Sequence, residues 1–256
     1  RLFVNRGDGT IWRRSADGNS FAQFADTGAE YLLDSTRTDT HLFAAQFAAN
    51  VIWRIALSNA AVSSIAGPPA ANRFDGIRIG PDGRLYAVDS SNGRIFAYNL
   101  NTSAWSLFLT NTLAGDASQM EFGTDGRVFL SRTIGGQARL YSYTLNTPGD
   151  YASGLNAASQ TLIGTYGSGT ATGIRIGPDG RLYANAFSLG QVWRSNVGIT
   201  AMEASAFLSG LQEPGSLFFE SDAEPPATNA AILVDFGSVA LPAASPDSNG
   251  KRWNNF

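Results

Sequence analysis

The chain has 256 residues, a net charge of −3, no cysteine, a single histidine and only 15% charged residues. Without cysteine, disulfide bonds, thiol nucleophiles and thiolate-ligated zinc are excluded, and the one lysine, Lys251, lies outside the repeated part of the sequence. The basic residues form no stripe and no apolar run is long enough to cross a bilayer, so neither nucleic-acid binding nor a membrane span is expected. The 28 glycines and 10 prolines are typical of a turn-rich all-β domain.

A β-hairpin signature recurs along the chain. Two faint copies come first, at Arg1–Val4 and His41–Ala44. The clearest copy, Phe74–Ala87, has alternating apolar residues on both sides of a Pro-Asp-Gly turn, whose glycine supplies a positive φ. A weaker copy spans Gln119–Leu130, and Thr172–Ala184 repeats the clearest copy almost letter for letter. A spacing of about 40–50 residues is typical of a repeat architecture.

Two further strands are predicted after each hairpin signature. The third strand places a β-branched residue or leucine before an aromatic residue, and occurs at 10–13, 51–54, 94–97, 139–142 and 191–194. The fourth strand is predicted at 20–24, 61–65, 104–109, 160–166 and 204–208. Five repeats of four antiparallel strands predict an all-β, five-bladed β-propeller.

The two ends of the chain are predicted to close the ring. The sequence starts on the second strand of a blade, and residues 215–222 match an innermost strand, so we expect that segment to pair with the N-terminal strand. Residues 1–223 are therefore assigned to the propeller and 224–230 to a proline-rich linker. Residues 231–256 are predicted to be a C-terminal β segment, either a docking strand or the start of a second domain.

Small or acidic oxygen donors precede the innermost strands, whose ends converge at the mouth of the ring. They are Asp75, Ser118 and Thr172, with Asn72 and Glu213 in equivalent approach segments. One interpretation is a polar binding pocket on the axis, and the other is that these residues cap strands and satisfy turn amides. Asp75 and Glu213 are the candidate ligands if calcium or magnesium binds there; otherwise no cofactor is expected.

Charges of alternating sign occupy equivalent positions in neighbouring innermost strands. They are Arg78, Glu121 and Arg175. Because an unpaired buried charge costs several kcal/mol, a structural ion network is predicted, with ligand binding by the two arginines as the alternative.

Aromatic residues recur at equivalent places in the second and third strands, which indicates core packing. Trp105 has no counterpart in the other repeats and is therefore the candidate for an exposed contact, for instance with a glycan. His41 takes the strand position that arginine holds in other repeats, which favours a structural role; a Ser-His-Asp triad would depend wholly on it.

The hairpin Gly80–Tyr86, followed by Gly-Arg-Ile-Phe or Gln-Val-Trp-Arg, resembles the repeats of the NHL, SMP-30/gluconolactonase and streptogramin-lyase propeller superfamily. The resemblance covers about residues 1–222 and implies the fold. Gluconolactonase-like members bind a divalent metal on the axis through Glu, Asn and Asp, for which Glu213 and Asp75 have counterparts here. Streptogramin lyases use a catalytic histidine, and the strand position of His41 does not match that role. The tail, from Val-Asp-Phe-Gly to Trp-Asn-Asn, resembles the opening of β-rich modules in exported bacterial surface proteins.

These observations favour an extracellular binding or assembly module without catalysis, acting on proteins or glycans. A protein partner or a neighbouring subunit is expected to bind through residues 228–256, and the expected location is secreted or cell-surface, extracellular or periplasmic, in a bacterium. The alternative is a divalent-metal-dependent lactonase or hydrolase of the SMP-30/gluconolactonase type with its site on the propeller axis.

Overall fold

A computed structural model describes residues 2–15, 18–47, 49–110, 116–212, 214–219 and 232–235. The fold is an all-β propeller with five blades of antiparallel strands, which confirms the predicted fold class. Within the described residues the helical structure consists of two short 3-10 turns, Ala157–Ser159 and Phe187–Leu189. No helix in this part of the chain has the length and apolarity needed to span a membrane.

The strands follow the repeats in chain order. Blade one contains β1 (Phe3–Asn5), β2 (Thr10–Arg14) and β3 (Phe21–Asp26). Blade two contains β4 (Leu32–Arg37), β5 (His41–Gln46), β6 (Val51–Ala56) and β7 (Val62–Ala66). Blade three contains β8 (Phe74–Ile79), β9 (Leu85–Asp89), β10 (Arg94–Asn99) and β11 (Ala104–Leu109). Blade four contains β12 (Asp116–Phe122), β13 (Val128–Ile134), β14 (Gln137–Tyr143) and, after an inserted hairpin of β15 (Leu145–Thr147) and β16 (Asp150–Leu155), β17 (Thr161–Ser168). Blade five contains β18 (Ala171–Ile176), β19 (Leu182–Ala186) and β20 (Gln191–Arg194).

Two parts of the fold differ from the sequence prediction. The hairpin β15–β16 interrupts blade four between its third and fourth strands and packs against β11 of blade three. In blade five the predicted strand 204–208 is not formed as a strand: Leu208 makes an isolated bridge with Val192, and Met202, just before the predicted strand, makes one with Ser195. The outer edge of this blade is therefore irregular.

The Asp-Gly turns are stabilised by side-chain clamps, which explains why their sequence recurs. The Asp82 carboxylate accepts hydrogen bonds from Arg84 Nε at 2.5 Å and from the Tyr86 hydroxyl at 3.0 Å. In blade five the Tyr183 hydroxyl donates to Asp179 in the same way, at 2.9 Å. The motif thus anchors the turn to the second strand of its own blade.

The apolar core lies between neighbouring blades. Phe43, Tyr86 and Phe129 of the second strands are almost fully buried, in three separate clusters. The third-strand tryptophans are half-buried, and each indole N–H donates to a polar side chain of its own blade; Trp53, for example, donates to Gln46 Oε1 at 3.1 Å. The aromatic side chains named for the second strands are therefore more deeply buried than the tryptophans of the third strands.

The strand near the C-terminus pairs with a different strand from the one predicted. The strand β21 (Ser216–Phe219) lies beside β18 and pairs with β22 (Ile232–Asp235), while the described ladder partner of β1 is β2. Joining strands that are near in sequence costs less loop-closure entropy than pairing the two ends of the chain. Apart from this strand, the predicted linker and C-terminal segment, 224–230 and 231–256, lie outside the described residues.

Candidate functional site

The guanidinium of Arg78 lies at the centre of the ring. Arg78 is carried by β8, yet its Nη1 contacts Asp34 Oδ2 of blade two at 2.7 Å and its Nε lies 3.4 Å from Glu121 Oε2 of blade four. Its Nη2 donates to the backbone oxygen of Ile174 in blade five at 3.1 Å. A side chain that reaches three other blades lies near the axis of the ring.

Asp34 and Gln119 complete the axial network, and neither was identified from the sequence. Asp34 also accepts a hydrogen bond from the backbone N–H of Ile77 at 2.9 Å. Gln119 Oε1 accepts from both Arg78 Nη2 and the N–H of Ile174, each at 3.2 Å. The signal for Asp34 was present, since it stands 43 residues before Ile77, the spacing that also relates the second strands of blades two and three.

The structure brings the three predicted network residues together. Glu121 Oε2 lies 3.5 Å from Arg175 Nη1, in addition to its contact with Arg78. Burial raises the pKa of Asp34 and of Glu121, and the attraction of Arg78 acts in the opposite direction on both. These axial carboxylates are thus held by guanidinium groups and backbone N–H groups.

Two of the predicted mouth residues form bonds between blades. The Ser118 hydroxyl donates to the backbone oxygen of Ala171 at 2.6 Å, and the Thr172 hydroxyl donates to that of Pro214 at 2.8 Å. Both link an innermost strand to the next part of the ring. This geometry matches the strand-capping interpretation for these two hydroxyls. Asn72 is exposed, and Glu213 lies outside the described residues.

Asp75 has a different environment from the other mouth residues. Its Oδ2 lies 3.5 Å from Arg73 Nη2, whereas its Oδ1 is buried and has no hydrogen-bond partner among the described residues. Burial raises the pKa of Asp75 to about 6, the Ser90 hydroxyl and Arg73 act to lower it, and the charges of Asp116 and Asp89 raise it further. Asp75 is therefore a carboxyl group whose negative charge is incompletely compensated.

Exposed aromatic rings continue this surface towards blade two. The Arg73 guanidinium carbon lies 5.1 Å from the ring centroid of Phe47, and its Nε donates to the Ser90 hydroxyl at 2.5 Å. The backbone N–H of Phe47 donates to the carbonyl of Tyr31 at 2.8 Å. Tyr31 and Phe47 are both exposed, and neither was singled out from the sequence, because they have no aromatic equivalents in the repeat alignment.

Trp105 is not the open platform expected from the sequence. Its ring stacks on Phe74 with centroids 5.5 Å apart and lies 4.9 Å from Tyr98. Its indole N–H donates to the backbone oxygen of Ala66 in blade two at 2.9 Å. Trp105 is half-buried and joins blades two and three, so most of its surface is used for packing.

The described residues do not assemble a set of divalent-metal ligands. Calcium takes six to eight oxygen ligands, and magnesium six. In the part of the chain that the structure describes, no group of three or more His, Cys, Asp or Glu side chains is arranged for a metal ion. At the level of the axis, both carboxylates are occupied by Arg78. Asp75 alone supplies too few ligands, and its predicted partner Glu213 is outside the described residues.

Known structures share this fold at low sequence identity. A streptogramin B lyase structure matches with a TM-score of 0.60 and 14% identity over 90% of this chain and 70% of the other. The virginiamycin B lyase of Staphylococcus aureus matches with a TM-score of 0.57 and 14% identity over 84% and 69% of the two chains. A chain from a nidogen/laminin complex matches with a TM-score of 0.65 and 15% identity over 84% and 80%.

The similarity to these structures establishes the propeller fold alone. No protein-family model matches the chain, and no curated protein matches it in sequence. The predicted resemblance to NHL and SMP-30 repeats is therefore supported at the level of the fold and not at the level of a family. Function has to be argued from the arrangement of the side chains.

Proposed function

We propose that this propeller is an extracellular binding or assembly module that recognises a protein partner and carries out no catalysis. The observation that carries the proposal is the position of Arg78. Its guanidinium contacts Asp34 and Glu121 across the axis, so a cation already engages the two carboxylates found there. Arg78 holds both carboxylates, and the Asp34 side chain is only 1% exposed, so a substrate has little access to them for proton transfer.

The position of the single histidine also supports a binding role. His41 is the first residue of β5 and lies beside the turn that joins β4 to β5. Tyr31 precedes β4 and Phe47 follows β5, so this exposed pair lies at the opposite end of the blade. Its Nδ1 is 2.9 Å from the Thr40 hydroxyl, and burial and the charge of Arg54 lower its pKa. This geometry suits the structural role predicted for it.

One neighbour among the known structures comes from a protein complex, which supports a propeller that acts by contact, whereas the two others reported above are lyases. The extracellular part of the proposal is supported by the Ser/Thr/Asn/Ala-rich loops and by the resemblance of the tail to exported surface modules. Fractionation of cells that produce the tagged full-length protein tests the location. Recovery from the cytosol alone contradicts export.

The proposed function is tested by measuring turnover and binding on one preparation of the full chain. The turnover arm presents lactones, esters and quinupristin, the compound present in a structure of a catalytically inactive virginiamycin B lyase, with and without added Mg²⁺ or Ca²⁺. The binding arm selects peptides from a phage-displayed library. We expect no turnover and an enriched peptide population. Turnover that disappears in Asp75→Asn contradicts the proposal, as does a library that yields no binder.

A hydrolase remains the second candidate, because one observation favours it. The pKa of Asp75, raised to about 6, is close to the range in which a carboxyl serves as a general base near neutral pH. Elemental analysis of the purified chain and of Asp75→Asn tests the metal-dependent form of this candidate. A stoichiometric divalent ion in the wild type that is lost in the variant supports it; a chain that retains no ion after exposure to Mg²⁺ and Ca²⁺ contradicts it.

A further inference from the structure

Four residues are linked by a chain of contacts that we call the mouth patch: Tyr31 and Phe47, which are exposed, and Arg73 and Asp75, which are half-buried. Tyr31 and Phe47 are joined by a backbone hydrogen bond of 2.8 Å. Phe47 and Arg73 are joined by a cation–π contact of 5.1 Å, and Arg73 and Asp75 by an ion pair of 3.5 Å. All four lie at the end of the ring where the innermost strands β4 and β8 begin.

The aromatic half of the mouth patch is exposed at an energetic cost. Tyr31 is 51% exposed and Phe47 37% exposed. Tyr31 also has a φ of +57°, a left-handed conformation that is unfavourable for a bulky side chain. Its N–H donates to the Gly7 carbonyl of blade one at 2.9 Å, and its carbonyl accepts from Phe47, so both sides of the strained peptide are fixed. Strain of this kind is found preferentially where a side chain is held in place for binding.

The charged half of the mouth patch has more negative than positive charge. Asp89 and Asp116 both act on Asp75 and raise its pKa, while Arg73 is the cation that contacts it among the described residues. Asp89 is fully buried and accepts hydrogen bonds from the hydroxyl of Ser91 and the amide of Asn92, so it is already satisfied. The Oδ1 of Asp75 is buried, and the exposed 16% of this side chain is the part that a cation from outside can reach. The local charge therefore favours a cation from outside.

We propose that the mouth patch binds a lysine or arginine side chain of a partner protein, presented in a short segment beside an apolar residue. The cation contacts the exposed edge of Asp75, and the apolar neighbour covers the rings of Tyr31 and Phe47. This inference rests on the proposed binding function and names the chemistry of the partner. Charge complementarity favours a basic peptide over a neutral glycan, since a glycan stacks on the rings but leaves the carboxylate uncompensated.

The experiment uses fluorescent nonapeptide pools with a fixed central Leu-Xaa-Leu, where Xaa is lysine, arginine, norleucine or glutamate. Binding to the full chain is measured by fluorescence polarisation. We expect the lysine and arginine pools to bind at least about tenfold more tightly than the norleucine pool, because a hydrogen bond to a charged group contributes on that scale. Equal binding of the norleucine pool, or stronger binding of the glutamate pool, overturns the inference.

Matched variants locate the site. Asp75→Asn and Phe47→Ala are each expected to weaken lysine-pool binding about tenfold. The controls Asp39→Asn, on an exposed turn at the other end of β4, and Leu107→Ala, on the outer strand of blade three, should leave it unchanged. Tyr31→Gly removes a ring while suiting the positive φ, so it keeps the test valid if Phe47→Ala folds poorly. Circular-dichroism melts verify that each variant is folded.

Two outcomes separate this inference from the proposed function. If phage-selected peptides bind the wild type and Asp75→Asn equally, or a neutral glycan array binds the mouth patch while the lysine pool does not, the partner chemistry is wrong but a binding module remains. If neither the selected peptides nor the pools bind and an ester or lactone is turned over, the proposed function itself is contradicted.

Discussion

The axial network makes a quantitative prediction for Arg78→Met. Methionine retains much of the volume of arginine but removes the guanidinium that contacts Asp34, whose side chain is only 1% exposed. Breaking a buried ion pair by removing one partner costs about 3–5 kcal/mol, because the remaining charge is left buried without compensation. For a domain of this size each kcal/mol lowers Tm by about 2–4 °C, so we expect a decrease of about 6–20 °C.

The matched control is Arg175→Met, in the same network. The Arg175 side chain is 17% exposed and makes one ion pair, of 3.5 Å with Glu121. Its removal leaves Glu121 in contact with Arg78, so we expect a loss of about 1 kcal/mol or less, the usual value for an accessible pair. The contrast between the two variants compares a buried arginine that has several partners with a more exposed arginine that has one ion pair.

The assay is urea unfolding followed by tryptophan fluorescence, which measures the free energy of unfolding, combined with a double-mutant cycle. Asn at position 34 retains an acceptor for the N–H of Ile77 while removing the charge. We therefore expect Asp34→Asn and Arg78→Met to couple by about 1–3 kcal/mol, with the double variant more stable than the sum of the single losses implies. Equal losses for Arg78→Met and Arg175→Met, or strictly additive losses in the cycle, refute the proposal of a buried, mutually dependent network.

Three further predictions concern the mouth and the packing of the blades. The pKa of Asp75 is about 6 in the folded chain against an ordinary value of 3.8, so its contribution to stability is present below pH 4 and is lost as the pH rises towards 6. Over this range the free energy of unfolding, measured in urea, should fall by about 1–3 kcal/mol more in the wild type than in Asp75→Asn. The control Asp39→Asn should keep the wild-type profile. Tyr31→Gly relieves the strained φ of +57° and should unfold at a higher urea concentration than Tyr31→Ala, whereas equal midpoints argue against strain. Gly76→Ala should cost about 1–3 kcal/mol and lower Tm, because a Cβ there would lie 2.5 Å from a backbone oxygen of blade four; a melt like that of the wild type shows that these blades separate readily.

Much of the fold was predictable because the same sequence pattern recurs in each repeat. The alternating strands around the Asp-Gly turns recur with side chains that clamp each turn, as in the contact of Asp82 with Tyr86, and this clamp is local in sequence. The ion network of Arg78, Glu121 and Arg175 was predicted from the same alignment, since equivalent positions in adjacent blades meet near the axis. Asp34 was missed because blade two was aligned through its second strand alone, although the 43-residue spacing from Asp34 to Ile77 matches the repeat.

The choice of ladder partner for β21 and the exposure of Trp105 depended on contacts between distant segments. Either end of the chain offers β21 a strand of suitable composition, and only the three-dimensional path of the chain selects β22. Trp105 has no equivalent in the other repeats, but the backbone oxygen that its indole binds belongs to a neighbouring blade, which a repeat alignment does not reveal.

The sequence by itself determined the class of the fold, the number of blades, the turn chemistry and the alternation of charge between neighbouring inner strands, because each is encoded within a few residues and repeated. The tertiary structure decided which polar groups satisfy one another and which remain available. It places Ser118 and Thr172 in bonds between blades, and leaves Asp75 beside Arg73, Phe47 and Tyr31 at the surface. Whether a polar side chain is available for binding depends on the partners that folding brings to it from other blades, and these partners are far away in sequence.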